Sequence, residues 1–485
     1  MAESLKSKTV KGIIWSTFEK FSLMFSRFFI GIILARLLTP TDFGLVAIIY
    51  VFLAILDIFV DSGFANALVR KQNCEDIDYS TVFYINLLIA VVGYVLMFFA
   101  SPYIADFYNN SQLDIMTKIV SLNLIINAIS IVNRTKLVKV VDFKTQSKIS
   151  LISIVFSGAV GIYMAYSNYG VWSLVAYSLI DSIARTILFF LFVKWFPKLE
   201  FSYKSFKELF SFGSKLLLTS VQHRIYLNIY TLILGKILSS KTVGLFARAD
   251  QLAQFPATTL ESIVTRVSYP ILCSIQDDNE RLEYVYREYI KLTSFIVFPL
   301  MFGLAAIAKP FIILILTDKW IDSVVILQIL CFAYIWTHMN CINLNLLYVK
   351  GRSDLVYKLD ILKKIIGISC LILCINYGLV PICFSRVIYG FSAIVINTYY
   401  TKKIIGLGFI KQISDVIQSV VMAGLMSVTV LYSYPYFGDS PLWQTVGGIF
   451  VGIVSYTVMS LITKNSELKK LFYLISERWN KDDGK

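Results

Sequence analysis

Fourteen apolar runs of membrane-spanning length fill most of this chain, and that one feature removes nearly every soluble architecture from consideration. A helix needs about 20 apolar residues to cross the bilayer core. Inside that core, backbone N–H and C=O groups can be satisfied only by helices or closed barrels. The runs fall at 12–37, 43–63, 79–100, 113–133, 149–167, 170–193, 214–236, 243–272, 290–309, 323–349, 361–376, 378–400, 413–433 and 442–463. Runs this long predict helices, so the expected fold is an all-α polytopic membrane protein. Composition agrees. Of 485 residues, 57% are hydrophobic and 16% charged, with a mean hydropathy of +0.70, too little polar surface for a soluble protein of this length.

The placement of Lys and Arg sets the expected orientation. With the N-terminus in the cytoplasm, about 32 basic residues fall in cytoplasmic segments and about 5 outside. Arg134, Lys136, Lys139, Lys144 and Lys148 share a side with Lys350, Arg352, Lys358, Lys363 and Lys364. Both termini are therefore expected inside. The net charge of +14 is explained by basic loops beside an anionic leaflet, and no nucleic-acid partner is expected. MAESLKSKTVKG runs straight into the first apolar run with no small-residue cleavage site, which reads as an uncleaved first span. The seven cysteines form no CxxC pair and read as inert core thiols. His223 and His338 are too far apart in the sequence to suggest a metal set, and none is expected.

The chain aligns with itself at an offset of 200. ARLLTPTDFGLVA (Ala35 to Ala47) meets GKILSSKTVGLFA (Gly235 to Ala247), with Leu38 on Leu238, Gly44 on Gly244 and Leu45 on Leu245. At a slightly larger offset, Asn168-Tyr169-Gly170 meets Asn376-Tyr377-Gly378. A six-helix unit has been duplicated, and because six is even both copies enter the membrane in the same direction, as a parallel repeat. The expected organisation is a six-helix lobe over 1–200, a second over 201–403, two additional spans over 404–463, and a cytoplasmic tail over 464–485. In that tail Leu468, Leu471, Phe472, Ile475 and Trp479 recur at helical spacing, which predicts an amphipathic surface helix. Two such lobes could rock to expose a central cleft alternately to either side. At the turn into the second span, Thr39 is placed to cap, with Pro40 first in the helix and Asp42 third.

Charges inside the apolar runs are the functional signal. Each costs about 2.5 to 3.5 kcal/mol at a helix centre, so each must face something other than lipid. On the first span Lys20 and Arg27 lie within about 20 degrees of each other, with Glu19 about 80 degrees from Arg27. Arg27 sits about 22 Å from the start of the run, beyond snorkelling reach. Arg224 belongs to a polar stripe with Ser220, Asn228 and Thr231. On the eighth span Arg248 and Arg266 share an azimuth, while Asp250 and Glu261 lie on the other side. Both faces cannot line one cavity, and we assign the arginines to it. Asp181 and Arg185, at i and i+4, read as an internal ion pair. Asp57 and Asp61 read as partners for Lys20 and Arg27, or as sites for H⁺ or Na⁺. Arg386 has no evident local partner. The cationic set Lys20, Arg27, Arg224, Arg248, Arg266 and Arg386 favours an anion, because guanidinium forks bind phosphate oxygens bidentately. A polar head group with its tail in the bilayer suits such a path.

The runs ARLLTPTDFGLVA, DSGFANALVRK, YSTVFYINL, VDFKTQSKISLIS, SFKELFSFGSKLLL, RADQLAQFP, RVSYPILCSIQDD and NLLYVKGRSD resemble, in combination, Wzx-like polysaccharide and lipopolysaccharide flippases of the MOP superfamily. These are related more distantly to lipid II flippases and MATE antiporters. The resemblance implies a MATE/MurJ-like fold and translocation of an undecaprenyl-diphosphate-linked oligosaccharide across the bacterial cytoplasmic membrane. It also implies H⁺ or Na⁺ coupling, with no resident cofactor, and neighbouring polysaccharide polymerase or export proteins as partners. It covers Arg248 and Asp250 in RADQ, Arg266 in RVSYP, and Glu19 followed by Lys20. It does not reach Arg27 or Arg224, whose assignment rests on the helical wheel.

Two other functions compete. A MATE-like antiporter of cations should prefer a more acidic path than these arginines provide. A membrane glycosyltransferase or polymerase would need catalytic carboxylates or a large external loop, and the longest outside loops run to about a dozen residues. No GxxxxGK[ST] loop for ATP hydrolysis occurs, and the expectation is a transporter rather than an enzyme.

Overall fold

The computed structural model describes residues 5–61, 63–471 and 473, without the side chains of 5–20, 212–216, 218, 219, 263 and 267. In chain order the helices are α1 (Leu5–Leu37), α2 (Pro40–Asp61), α3 (Phe64–Arg70), α4 (Asp76–Phe107), α5 (Gln112–Val120), α6 (Leu122–Lys139), α7 (Phe143–Tyr166), α8 (Trp172–Val193), α9 (Tyr203–Ile237), α10 (Ser240–Ser274), α11 (Asn279–Ala306), α12 (Ala308–Leu316), α13 (Ser323–Tyr334), α14 (Thr337–Val349), α15 (Ser353–Cys374), α16 (Leu379–Ile405), α17 (Phe409–Ser433) and α18 (Pro441–Ile462). Each expected run lies on these helices, the fourth on α5 and α6, the ninth on α11 into α12, and the tenth on α13 and α14. Among the described residues there is no strand, and ten helical stretches are long and apolar enough to cross a membrane unaided. The runs on α1, α9, α10 and α15 are not among those ten. Each carries charge inside it: Arg27, Arg224, Arg248 with Arg266, and Lys363 with Lys364.

Local chemistry begins these helices where the sequence places it. At α2 the Asp42 carboxylate accepts from the Thr39 N–H at 2.8 Å and from the Thr39 hydroxyl at 2.7 Å, while Thr39 Oγ1 accepts from the Asp42 N–H at 3.4 Å. The cap and the reaching carboxylate are both present. The matched glycines Gly170 and Gly378 both adopt positive φ, 55° and 92°. A side chain would be strained at either turn.

The first compact unit spans Met1–Gly244. Within it α7 packs on α1 and α8, α6 on α4 and α8, and α9 on α2, α3 and α4. Apolar side chains gain little by leaving lipid, so close packing and polar links must hold such helices together. For α9 these links are the Tyr108 hydroxyl donating to the Leu232 carbonyl at 3.5 Å and Lys236 Nζ donating to the Phe107 carbonyl at 2.7 Å. The packing of α9 carries the unit past residue 200, where the repeat divides the sequence. The closest approach joins repeat-equivalent residues. A Cβ on Gly44 would fall 1.7 Å from the Ser240 carbonyl oxygen, and one on Gly244 would fall 1.8 Å from that of Pro40. Only glycine permits this contact.

The second unit spans Leu245–Lys485. Here α11 packs on α17, α16 on α13, α14 and α15, and α18 on α12 and α17. The two spans outside the duplication are thus integral to it. Asn343 on α14 and Gln412 on α17 exchange hydrogen bonds of 3.0 and 3.1 Å, and Thr401 on α16 donates to Asn343 Oδ1 at 2.6 Å. Asp415 on α17, only 5% exposed, takes the Arg287 fork at 2.8 and 2.7 Å. Lys363 and Lys364, expected in a solvated basic cluster, are buried in α15, with Lys364 paired to Asp360 at 2.6 Å. Their helix begins at Ser353, so about three turns carry them into the packed region. His338 packs as expected, its ring bonded to Ser294 at 2.8 Å. Of the expected tail helix, Leu468, Lys469, Lys470 and Leu471 are helical, and Lys470 pairs with Glu288. Phe472, Ile475 and Trp479 lie outside the described residues.

Candidate functional site

In the first unit, five helices bring polar side chains to one constellation. On α8, Ser178, Asp181 and Arg185 follow at helical spacing and so share a face. Arg185 forms its ion pair with Asp181, and the two side chains are 26% and 16% exposed. Arg27 on α1 acts electrostatically on both members, and Arg134 on α6 acts on Arg185. On α2, Asp57 is within reach of Arg224 on α9, and Asp61 is within reach of Arg134 while accepting from the Ala65 N–H. Tyr50, two turns before Asp57, donates to Ser178 Oγ. Asn123 Nδ2 on α6 donates to the same oxygen at 2.9 Å.

Arg27 acts on Asp181 and Arg224 acts on Asp57, couplings that reach from one helix to another. Partner choice depends on how helices pack, which spacing along one helix does not encode. The side chains of Glu19 and Lys20 lie outside the described residues. Arg134, Tyr50, Ser178 and Asn123 were not singled out by the sequence for this role. Arg134 stands in a basic cluster that reads as solvated surface, whereas Tyr50 and Ser178 fall on the stripes of Asp57 and Asp181, where a helical wheel could have found them. Among the described residues, four guanidinium groups here meet three carboxylates, which leaves an excess of positive charge. Such an arrangement can hold an anion with two adjacent ionised oxygens.

The second unit arranges its charges otherwise. Arg386 on α16, expected in the cationic set without a partner, is bonded to Asp250 on α10 at 2.5 Å. The Tyr334 hydroxyl donates to the same carboxylate oxygen at 2.8 Å. The guanidinium also lies over the rings of Tyr334 and Phe246, at 5.4 and 5.7 Å. Glu261 acts on Cys341 of α14, whose thiol is 2.9 Å from Thr265 Oγ1. Asp250 thus reaches Tyr334 of α13 and Arg386 of α16, while Glu261 acts on Cys341 of α14. Arg248, on the opposite side, donates to Gln251 at 2.7 Å, and Arg266 is exposed.

On the basic side of the first unit, Asp76 at the start of α4 is clasped by Lys198 at 3.1 Å and Lys136 at 3.9 Å. The hydrogen bond to Asp76 raises the pKa of Lys198. Lys136 also lies 4.5 Å over the Tyr79 ring and 4.8 Å over that of Trp195.

Comparison with known proteins places this arrangement in a family. The profile described as "Polysaccharide biosynthesis protein" matches residues 33–325, more than half of the chain. The chain belongs to the polysaccharide biosynthesis protein family. The matched segment includes Asp57, Asp61, Arg134, Asp181, Arg185, Arg224, Arg248, Asp250, Glu261 and Arg266, and stops short of Arg27 and Arg386. Among its relatives, the lipopolysaccharide biosynthesis protein WzxC of Escherichia coli (strain K12) is 26% identical over 76% of each chain. The succinoglycan biosynthesis transport protein ExoT of Rhizobium meliloti (strain 1021) is 23% identical, covering 99% of this chain and 98% of its own. The fold is that of the lipid II flippase MurJ in its inward closed conformation. The match has a TM-score of 0.74 and 16% identity, over 94% of this chain and 98% of that one. The fold expectation of a multi-pass, MATE/MurJ-like membrane protein therefore holds for this member of the polysaccharide biosynthesis family.

Proposed function

We propose that this chain is a flippase that carries an undecaprenyl-diphosphate-linked oligosaccharide from the inner to the outer leaflet of the bacterial cytoplasmic membrane, for surface polysaccharide export. The observation that carries the reading is the excess of guanidinium groups among the described residues of the first unit, where Arg27, Arg134, Arg185 and Arg224 act on three aspartates carried by helices of membrane-spanning length. A diphosphate head offsets much of what cations cost inside a membrane, because each phosphate oxygen accepts from a guanidinium fork. Family membership and the printed roles of WzxC and ExoT in polysaccharide biosynthesis support the same substrate class.

In this reading the protein catalyses no bond change, both termini are cytoplasmic, and polysaccharide polymerase and export proteins take up the product. The driving force is an H⁺ or Na⁺ gradient acting at Asp57 and Asp61, since a carboxylate facing a cationic site changes the site's net charge when it gains or loses a cation. The test is reconstitution into vesicles loaded with defined lipid-linked oligosaccharides on one face, followed by measurement of their appearance on the other under imposed ion gradients. Translocation above protein-free vesicles is expected. Equal rates with and without protein, for every diphosphate-linked lipid tried, would overturn the reading.

A further inference from the structure

Asp181 and Arg185 form an ion pair in the middle of the candidate site, and the form of that pair carries information. A single hydrogen bond joins Arg185 to Asp181 Oδ2. Asp181 Oδ1 and Arg185 Nε are both buried without a hydrogen-bond partner. The inter-helix pair of Arg287 and Asp415, by contrast, uses the whole fork, at 2.8 and 2.7 Å. The α8 face is nevertheless firmly held. Ser178, one turn before Asp181, takes hydrogen bonds from Tyr50 and Asn123, and Thr186 donates to the Ile126 carbonyl at 3.0 Å. The carboxylate is fixed in place while its bond to arginine is left half made. Arg27 acts on both members of the pair, and Arg134, which also acts on Asp61, adds a further positive charge beside Arg185.

We propose that Asp181 is a resident competitor of the substrate, a positioning residue that holds Arg185 while the site is empty and yields it to a head group with two ionised phosphates. This rests on the flippase reading above. A head joined through a single phosphodiester carries one negative charge, the same as the carboxylate, so exchange for Asp181 brings little gain. A diphosphoryl diester carries two, on adjacent phosphorus atoms, and can engage Arg185 together with Arg27 or Arg134. Asp181 therefore sets a threshold that favours two-phosphate carriers over one-phosphate carriers. It also keeps the empty site from binding product so tightly that release fails, because passage requires binding that is weak enough to be reversed.

The experiment uses the full chain in nanodiscs, with farnesyl diphosphoryl glucose and farnesyl phosphoryl glucose as probes at fixed ionic strength. Wild type should bind the two-phosphate probe at least tenfold more tightly than the one-phosphate probe. Asp181→Asn should tighten binding of the one-phosphate probe at least fivefold and bring the ratio close to one, whereas Asp181→Glu should keep the wild-type ratio. A purely structural pair would leave the ratio unmoved, and a ratio in Asp181→Asn within twofold of wild type overturns the proposal. Should Asp181→Asn not yield folded protein, Asp181→Asn with Arg185→Gln removes both charges. Loss of discrimination in that double variant supports the competitor role, and retained discrimination defeats it. A wild-type protein that binds neither probe overturns the flippase reading and this inference together, whereas wild-type binding with an unchanged variant ratio overturns this inference alone.

Discussion

The two units treat intramembrane charge in opposite ways. In the first, Asp181 holds Arg185 by one bond while Arg27 acts on both members and Arg134 on Arg185. In the second, Arg386 shares Asp250 with a tyrosine hydroxyl and lies over two aromatic rings. One unit keeps cations under-neutralised and the other locks its cation down. Under-neutralised charge is costly in the resting protein and useful only if a ligand completes it. A locked pair fixes packing and offers a ligand little.

That contrast can be broken most severely in the second unit. Arg386→Ala leaves the partly buried Asp250 without its guanidinium and with the Tyr334 hydroxyl as donor, and should cost about 3 kcal/mol, the low end for a broken buried pair, read as a lowered melting temperature of the purified protein. A melting temperature equal to wild type would mean that the pair is not locked. Next in size is Gly244→Ala, whose methyl group would meet the Pro40 carbonyl oxygen. Forced separation of the two backbones should cost about 1 to 3 kcal/mol, again visible as a melting shift. In the first unit Arg224→Ala should instead lower export of the sugar repeat at least tenfold at normal protein levels, a loss of about 1.4 kcal/mol or more. Full export would remove Arg224 from the site. The smallest effect is expected for Asp57→Asn, which should change the dependence of transport on pH or Na⁺ by a few fold. An unchanged dependence would exclude Asp57 from coupling.

Much of the fold could be read from the sequence because membrane helices are specified locally. Run length marked the spans, the Thr39-Pro40-Asp42 start marked a cap, and the repeated Asn-Tyr-Gly motif marked two turns whose glycines share a positive φ. The site was legible only in part, for a physical reason. A helical wheel reports which residues share a face, as for Asp57 with Asp61 or Arg248 with Arg266, but not which helix that face meets. Arg386 and Asp250 are 136 residues apart, and nothing local to either announces the other. Arg134, Lys363 and Lys364 mislead in the opposite direction. They sit among basic residues that mark the membrane boundary, yet Arg134 acts on Asp61 and Arg185 while the two lysines are buried. Boundaries inferred from charge are averages over a cluster, and a helix that starts a turn earlier carries cluster members inside.

The backbone contact at Gly44 and Gly244 has a further consequence. Pro40 lies against Gly244 as Ser240 lies against Gly44, and the alignment that relates 44 to 244 also relates 40 to 240. Reciprocal contact of this kind is what a twofold interface between identical subunits produces. Within the first unit the two glycines hold α2 and α10 together at one seam, so a side chain at either would press the same two backbones apart and a change at one cannot relieve the other.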